Sequence, residues 1–236
     1  GVNVNVVAPG NAVAGSRLVV RVQGYNAERT MSADCLTTTI VKQVHNIQVA
    51  TTPEMVAVYP GEKANYQVTL TNLGNGAEDV KLGASELPVG WDIAYERQGG
   101  AVITELEGIY LEPGSSLVFN AILSVAPGAL AKDYKLKGRI LDRDNNVYPI
   151  DVTCRVNQVF DIDITTTLSK QTGVPGSKVI FTLIGKNKGN GFDTLAFETS
   201  GMPRDWTGVE FRDVNYERNN QLSLNASGLE RMTLVI

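Results

Sequence analysis

Histidine, cysteine and aromatic residues are scarce in this chain of 236 residues, and their scarcity excludes several classes of site. A single histidine, His45, leaves little material for a histidine-rich metal centre or a histidine-based catalytic triad. Two cysteines, Cys35 and Cys154, are too few for a disulfide scaffold and lack the paired spacing of a zinc site. We predict that Cys154 is a core thiol because it shares the period-2 face of Val152 and Val156; a bridge between chains or domains is the alternative.

Long apolar runs and blocks of like charge are also missing. No stretch reaches the roughly 18 apolar residues that read as a membrane-spanning helix. The chain has 25 acidic and 21 basic residues, a formal net charge of −4 and a pI near 5.1, with no block of five or six like charges. This balance argues against nucleic acid as a partner. Because the chain starts at Gly1 without a signal-peptide pattern, we expect a soluble mature chain or a fragment whose anchor would lie elsewhere.

An internal repeat is the strongest positive signal. The Asn-x-Gly-Asn-Gly core of "LTNLGNG" at residues 70–76 returns in "GKNKGNG" at residues 185–191, an offset of 115 residues. At the same offset, residues 46–97 match residues 161–212. A loop that is repeated with its surroundings indicates a tandem array of one structural unit.

A second match fixes the boundaries of the repeats. "VVAPGNAVAG" at residues 6–15 matches "SVAPGALAKD" at residues 124–133 at an offset of 118. We therefore predict three parts: the back part of one repeat over 1–45, a whole repeat over 46–157, and the front part of a further repeat over 158–236. No Gly/Ser or Pro-rich linker separates the parts, so adjacent units should be closely coupled.

Within a repeat, short alternating segments predict β-strands. "ANYQVTLTN" sends Tyr66, Val68 and Leu70 to one side, as in a half-buried strand. About seven such runs in about 115 residues, with no helical periodicity, are typical of an immunoglobulin-like sandwich. The fold prediction is all-β, with one complete and two partial sandwiches in tandem. "LDRDNNVYP" should form a late hairpin with Asn145 and Asn146 at its tip.

The glycines of the repeated loop predict a hairpin corner. Gly74 and Gly76 in the first copy, and Gly189 and Gly191 in the second, tolerate positive φ at little cost. We therefore interpret the loop as a structural device that marks the period, not as a ligand loop.

The order "PGEKANYQVTLTNLGNG", "LPVGW", "LEPGSSLVF", "VAPGALAKDYKLKGRI" resembles the NEW3 domain, an Ig-like sandwich also called the NPCBM-associated domain, over residues 57–156. The second copy departs from the pattern where Asp205 replaces Gly90 and Gly185 replaces Leu70. The resemblance implies tandem modules of archaeal or bacterial surface proteins, or modules beside glycoside hydrolase domains. It implies no catalytic residues.

Trp91 and Trp206 occupy one place in the two copies, each after a Leu-Pro or Met-Pro turn. We predict that both pack in a core, as tryptophans of Ig-like sandwiches commonly do. The alternative is a sugar-stacking platform, although no cluster of aromatic residues accompanies either indole.

Calcium ligands are the candidate metal-binding residues. Asp142, Asp144 and Asn146 have the spacing that begins an EF-hand loop, but Val147 stands where that loop needs glycine. We predict a plain polar hairpin tip, with a calcium site as the alternative.

Five further polar positions receive the simpler interpretation. Asp161 and Asp163 share one strand face at a junction and are predicted to be solvated, bridging calcium being the alternative. Asn225 lies in an "NAS" acceptor sequon on a probable turn. Glu105 and Glu107 are close together on one strand, whereas glycosidase carboxylates flank a sugar, so we predict no enzyme.

These observations predict a non-catalytic, extracellular or cell-surface structural protein that forms a rod, S-layer or filament component. The predicted partner is the chain itself, by head-to-tail strand complementation, or neighbouring repeats of the same chain. No cofactor is expected, calcium aside. The alternative is an accessory module of a secreted carbohydrate-active enzyme, with a glycan as its ligand.

Overall fold

The computed structural model of the chain describes residues 3–104, 108–206 and 208–236, and every helix or strand that it contains in those ranges is a β-strand. The predicted all-β class is therefore confirmed. Glu105 and Glu107 lie outside the described residues. In the described part of the chain, no helix is long and apolar enough to cross a membrane.

The first part of the chain forms an antiparallel hairpin. Its strands are β1 (Arg17–Tyr25) and β2 (Ser32–Ile40), which make a two-stranded sheet of their own. Period-2 alternation places Leu18, Val20 and Val22 on one face of β1. Leu18 is half exposed, so this apolar face is incompletely covered.

The middle part, residues 47–156, is a complete two-sheet sandwich. One sheet has the spatial order β3 (Ile47–Thr52), β5 (Lys63–Asn72), β10 (Ser116–Ser124), β7 (Asp92–Arg97) and β8 (Val102–Ile103). The other has the order β4 (Met55–Val58), β12 (Val147–Val156), β11 (Asp133–Leu141), β6 (Glu78–Glu86) and β9 (Ile109–Leu111). All neighbours are antiparallel except β4, which runs parallel to β12.

The core of this sandwich follows from the alternation in its strands. Tyr66, Val68 and Leu70 of β5 are fully buried, as predicted. The Tyr66 hydroxyl donates a hydrogen bond to the Thr153 carbonyl oxygen at 2.8 Å, which ties the two sheets together. Cys154 is also fully buried and unpaired, which confirms the prediction of a core thiol.

The last part repeats only some of these strands. One sheet has the order β13 (Ile162–Thr166), β14 (Ile180–Asn187), β18 (Leu229–Val235) and β16 (Glu210–Arg212), and it faces a pair made of β15 (Asp193–Ala196) and β17 (Gln221–Leu224). By position in the repeat, these match β3, β5, β10, β7, β6 and β9. No strand of the described chain matches β4, β11 or β12 in this unit, so β15 pairs only with β17, whereas its counterpart β6 pairs with both β11 and β9.

The two cysteines provide a test of this core. A maleimide should modify Cys35 rapidly in the native protein, because Cys35 is exposed. Cys154 should react only in denaturant, since it is inaccessible and burial raises the pKa of its thiol, which lowers the thiolate fraction. Peptide mapping by mass spectrometry measures both rates. Rapid native labelling of Cys154 in a Cys35→Ser variant would contradict the core assignment.

Candidate functional site

The repeated loop lies where one repeat passes into the next. In the first junction, residues 72–76 follow β5 and contact both the linker at residues 41–46 and the turn that precedes β1. In the second, residues 187–191 follow β14 and make the corresponding contacts. The loop is therefore part of an interface between structural units.

One asparagine side chain holds the first junction together. The Asn75 Oδ1 accepts a hydrogen bond from the Val44 N–H at 2.7 Å. Its Nδ2 donates to the carbonyl oxygens of Lys42 at 3.0 Å and Ala12 at 3.1 Å. The Asn75 carbonyl accepts from the Ala14 N–H at 2.8 Å. A single residue thus bonds the linker and the preceding unit at the same time.

The second junction reproduces this arrangement atom by atom. The Asn190 Oδ1 accepts from the Val159 N–H at 2.7 Å, and its Nδ2 donates to the carbonyl oxygens of Asn157 at 3.1 Å and Ala129 at 3.0 Å. Its own carbonyl accepts from the Ala131 N–H at 2.9 Å. We call each of these two contact sets an asparagine clamp.

The clamps also refine the alignment of the preceding turns. Ala12 and Ala14 correspond to Ala129 and Ala131, an offset of 117, whereas the sequence match gives 118. The two values agree if Asn11 is an extra residue between "APG" and "AVA" in the first copy.

A second asparagine gives each loop its shape. Asn72 is fully buried; its Oδ1 accepts from the Gly74 N–H at 2.8 Å, and its Nδ2 donates to the carbonyl oxygens of Gly76 at 2.8 Å and Leu111 at 3.0 Å. Asn187 makes the equivalent bonds in the second copy. Because every polar atom of this buried amide is paired, the loop has one well-defined conformation.

The predicted reason for the glycines was wrong. None of Gly74, Gly76, Gly189 and Gly191 has a positive φ. The loop is not a left-handed corner, and glycine is needed there for space.

The space is taken up by the linker backbone. A Cβ on Gly74 would lie 2.4 Å from the Val44 carbonyl oxygen, and one on Gly189 would lie 2.3 Å from that of Val159. Real Cβ atoms do not approach a backbone oxygen so closely, and a backbone atom cannot move aside as a side chain can. Glycine therefore allows the linker to come close enough for the clamp to form.

The remaining glycine of each loop makes room for a linker glutamine. The Gln43 Nε2 donates to the Ala77 carbonyl oxygen at 3.0 Å, and a Cβ on Gly76 would lie 2.8 Å from that glutamine side chain. Gln158 packs in the same way against Gly191. Both glycines of the motif thus serve the junction.

The first junction also carries charge. His45 in the linker places Nδ1 2.9 Å from Glu78 Oε1 and Nε2 3.1 Å from Asp144 Oδ2. Glu78 is only 2% exposed. The hydrogen bond with Glu78 raises the pKa of His45; desolvation opposes this rise, and the charges of Glu78, Asp144 and Asp142 add to it.

The acidic turn beside His45 is held by its own hydrogen bonds. Asp142 Oδ1 accepts from the N–H groups of Asp144 at 2.9 Å and Asn146 at 2.8 Å, and Oδ2 accepts from Asn146 Nδ2 at 2.8 Å and the Tyr148 hydroxyl at 3.0 Å. Burial opposes ionisation, yet these bonds hold the pKa of Asp142 below its usual range. Asn145 has φ 62°, as expected at a tip. The contacts favour the polar hairpin tip, and we assign no cation to it.

The other polar candidates lie on the surface. Asp161 and Asp163 are exposed, and Asp161 faces Lys188 with a side-chain separation of 3.5 Å. Asn225 is exposed in the turn between β17 and β18, where the sequon was expected. Calcium binding and glycosylation at these positions stay predictions.

The two tryptophans differ. Trp91 is 9% exposed and packs against Tyr134 of β11, with ring centroids 4.7 Å apart. Trp206 is 58% exposed, so the prediction that it packs in a core was wrong. The physical reason is that the strand that covers Trp91 has no counterpart among the described strands around Trp206.

Sequence reasoning missed the clamps and the histidine contact. The sequence did contain a signal for the clamp, because Asn75 and Asn190 occupy the same position in the two copies of the repeat. Neither residue has a positive φ that would explain the repeated asparagine. Nothing in the sequence pairs His45 with Glu78, since the two are brought together only by the path of the linker.

No family model and no curated protein sequence matches the chain. Solved structures that align with it include a family 123 glycoside hydrolase from Clostridium perfringens, at 9% identity and a TM-score of 0.35 over 47% of this chain and 27% of that one. The CupB2 chaperone of Pseudomonas aeruginosa aligns at 10% identity and a TM-score of 0.30 over 79% and 90% of the two chains. A chain of a chaperone–tip adhesin complex of CFA/I fimbriae aligns at 12% identity and a TM-score of 0.30 over 78% and 84% of the two chains. The chain spans about a quarter of the hydrolase, and likenesses this distant carry no argument about function.

The glycine at the first clamp can be tested directly. Gly74→Ala should lower the free energy of unfolding by about 1–3 kcal/mol, because the added Cβ would clash with the Val44 carbonyl oxygen. Urea titration followed by circular dichroism measures the change. Gly128→Ala is the matched control, since a Cβ there meets no atom within 4 Å. Equal midpoints for the two variants would contradict the close-approach argument.

Proposed function

We propose that this chain is a non-catalytic structural segment of an extracellular or cell-surface protein, built from tandem NEW3-like sandwiches. Its role is to hold successive units in a fixed relation, as a component of a rod, surface layer or filament. The observation that supports this proposal is the asparagine clamp, which occurs at both junctions with the same donors and acceptors.

The clamp suits mechanical coupling better than ligand binding. The donors and acceptors of Asn75 and Asn190 are engaged by backbone groups of the linker and the preceding unit. The linkers pair further with the loops, through the Leu73 N–H to the Asn46 carbonyl oxygen at 2.8 Å in the first junction. A flexible tether would leave these groups to water, so the contacts favour a stiff connection.

Removing both clamps tests the proposal. In an Asn75→Ala, Asn190→Ala double variant, the N-terminal hairpin and the last unit should tumble more independently of the middle sandwich, while the far-UV spectrum is unchanged. Rotational correlation times from ¹⁵N relaxation measure this for each unit. Asn65→Ala is the control, because Asn65 is exposed on β5 away from the junction. A single correlation time in the double variant would count against coupling by the clamps.

We further propose self-association by strand complementation. Among the described strands of the last unit none matches β11 or β12, and β1 and β2 occupy the corresponding place in the preceding repeat. The face of β1 that carries Leu18, Val20 and Val22 is apolar and incompletely covered. Unpaired strand edges and open apolar faces favour pairing with a second chain. A hairpin from another copy, or one that continues the same repeat array, would cover Trp206 as β11 covers Trp91.

Trp206 reports on this association. Its emission should shift to shorter wavelength with increasing protein concentration, in step with a rise in sedimentation coefficient, because the indole leaves water. A Trp206→Phe variant should associate in the same way and show only the constant emission of buried Trp91. A monomer at every concentration with unchanged emission would refute complementation by a second copy and leave the proposal on the clamps intact.

An accessory module that binds glycan is the second candidate. The exposed indole of Trp206 is the observation that favours it, since an exposed aromatic face can stack on a sugar ring. Against it, the groove of about 620 Å³ beside β3, β11 and β12 is lined in the described structure by aliphatic and polar residues and by no aromatic ring. Adsorption to insoluble polysaccharide that Trp206→Ala abolishes would support this candidate.

A further inference from the structure

The two junctions share the asparagine clamp but differ in their ionic contacts. In the first junction, His45 of the linker lies between Glu78, at the start of β6, and Asp144, in the turn between β11 and β12. In the second, Phe160 and Asp193 stand at the positions of His45 and Glu78. Phe160 is exposed and makes no ion pair. One chain therefore contains a junction with a histidine ion pair to a buried carboxylate and a junction without one, where the exposed pair of Asp161 and Lys188 is the ionic contact.

Both nitrogens of the His45 ring face carboxylates, an arrangement that favours the protonated ring. Nδ1 lies 2.9 and 3.1 Å from the two carboxylate oxygens of Glu78, and Nε2 lies 3.1 Å from Asp144 Oδ2. A neutral imidazole carries one N–H, so it can donate to only one of these acceptors. The imidazolium form donates to Glu78 from Nδ1 and places its positive charge beside Asp144, so it attracts the linker to two elements of the middle sandwich at once.

The carboxylate of Glu78 depends on this contact because it is almost completely buried. Its other polar partner in the linker is Gln43, whose Nε2 donates to Oε1 at 3.2 Å and carries no charge. The nearest cation of the turn, Arg143, pairs with Asp79 at 3.2 Å instead. His45 is thus the charged partner of Glu78.

The remaining titratable groups near the ring do not compete for the proton. Asp142 faces the ring but accepts four hydrogen bonds within its own turn. Burial, together with the hydrogen bond to Asp142, raises the pKa of Tyr148 to about 12, so this hydroxyl stays neutral under ordinary conditions. His45 is therefore the group whose change of charge this proposal uses, with its pKa raised above the ordinary value by the hydrogen bond to Glu78.

We propose that His45 is a proton-operated lock on the first junction. Protonated His45 ties the linker to Glu78 and Asp144 and keeps the N–H of the adjacent residue, Val44, on the Asn75 clamp. Loss of the proton frees one carboxylate contact and loosens the linker at this junction alone. The lock rests on the proposed role of the junction as a coupling element. Protonation of His45 is the chemical signal that regulates this coupling.

The direction of the effect follows from the raised pKa of His45. A group whose pKa is higher in the folded state contributes its full stabilisation below its unfolded pKa, which is about 6.5 for histidine. The contribution is lost as the pH rises through the folded-state pKa. While the carboxylates are ionised, the first junction should therefore be tightest below about pH 6.5 and looser once the pH exceeds the raised pKa of His45.

A divalent cation is the competing occupant of this cluster. Ligand atoms of His45, Glu78 and Asp142 lie within 4.8 Å of one another. A metal would need a deprotonated ring nitrogen, whereas both nitrogens here face carboxylates of their own. Asp142 would also have to give up hydrogen bonds that define its turn, and these two facts favour the proton.

Nuclear magnetic resonance tests the lock in the intact chain. His45 is the only histidine, so its ring signals report its titration without ambiguity. The ring should titrate above pH 6.5 in EDTA, and the Val44 amide should shift with the same midpoint. The Val159 amide, which donates to Asn190 at the same 2.7 Å, is the internal control and should not follow.

Variants separate the lock from simple structural damage. Glu78→Gln and, on the exposed side, Asp144→Asn should each lower the midpoint of the ring titration; the second keeps the test valid if the first fails to fold. His45→Phe, which copies the second junction, should abolish the pH response of Val44. We expect that no other group restores the pH response in this variant.

The outcomes are distinct. A His45 midpoint at or below 6.5, or a Val44 amide that ignores the titration, overturns the lock. If one equivalent of Zn²⁺ shifts the ring signals completely and EDTA reverses the shift, the cluster binds a metal. This outcome also overturns the lock. If the Asn75→Ala, Asn190→Ala variant shows no uncoupling while Val44 still follows His45, then coupling by the clamps fails and the local lock stands.

Discussion

The close approach of the linker backbone to the loop after β5 is the constraint on which the rest of the junction depends. It leaves no room for a Cβ at Gly74 or Gly189, where the linker carbonyl oxygen would lie at 2.4 or 2.3 Å. Once that approach is made, Asn75 or Asn190 can reach the linker and the preceding unit with a single short side chain. The motif is therefore a contact between units and not a local turn.

Buried amides make this contact specific. Asn72 and Asn187 pair all their polar atoms inside the loop, and a buried amide without those partners would cost about 1–3 kcal/mol. Each loop therefore offers its clamp in one conformation. Hydrophobic contacts alone would hold the units together less selectively, because they have no directional requirement. The fixed relation between units comes from the directionality of these few hydrogen bonds.

Period-2 alternation predicted the strands well, because a half-buried strand must alternate wherever it faces a core. Tyr66, Cys154 and the tip at Asn145 lay where this logic placed them. This alternation did not predict burial where the contacts of a residue come from a segment distant in the sequence. Trp206 has the local sequence of a core residue but lacks the strand that would cover it. The glycines were predicted to form a left-handed turn because the sequence shows only that they have no side chain. It does not show that the linker backbone occupies the space where a Cβ would lie.

The two junctions show how an array can vary one contact without changing its fold. Amide hydrogen bonds such as those of Asn75 and Asn190 involve no titratable group of their own, so pH can act on them only through a neighbouring residue such as His45. The linker position occupied by His45 or Phe160 lies outside the clamp and can change independently of it. Because Glu78 is buried, the residue at this position decides whether its charge has a partner. Each junction can therefore keep the same clamp, and one junction can in addition respond to solution conditions. In this chain the first junction has the contact that can respond, between His45 and Glu78.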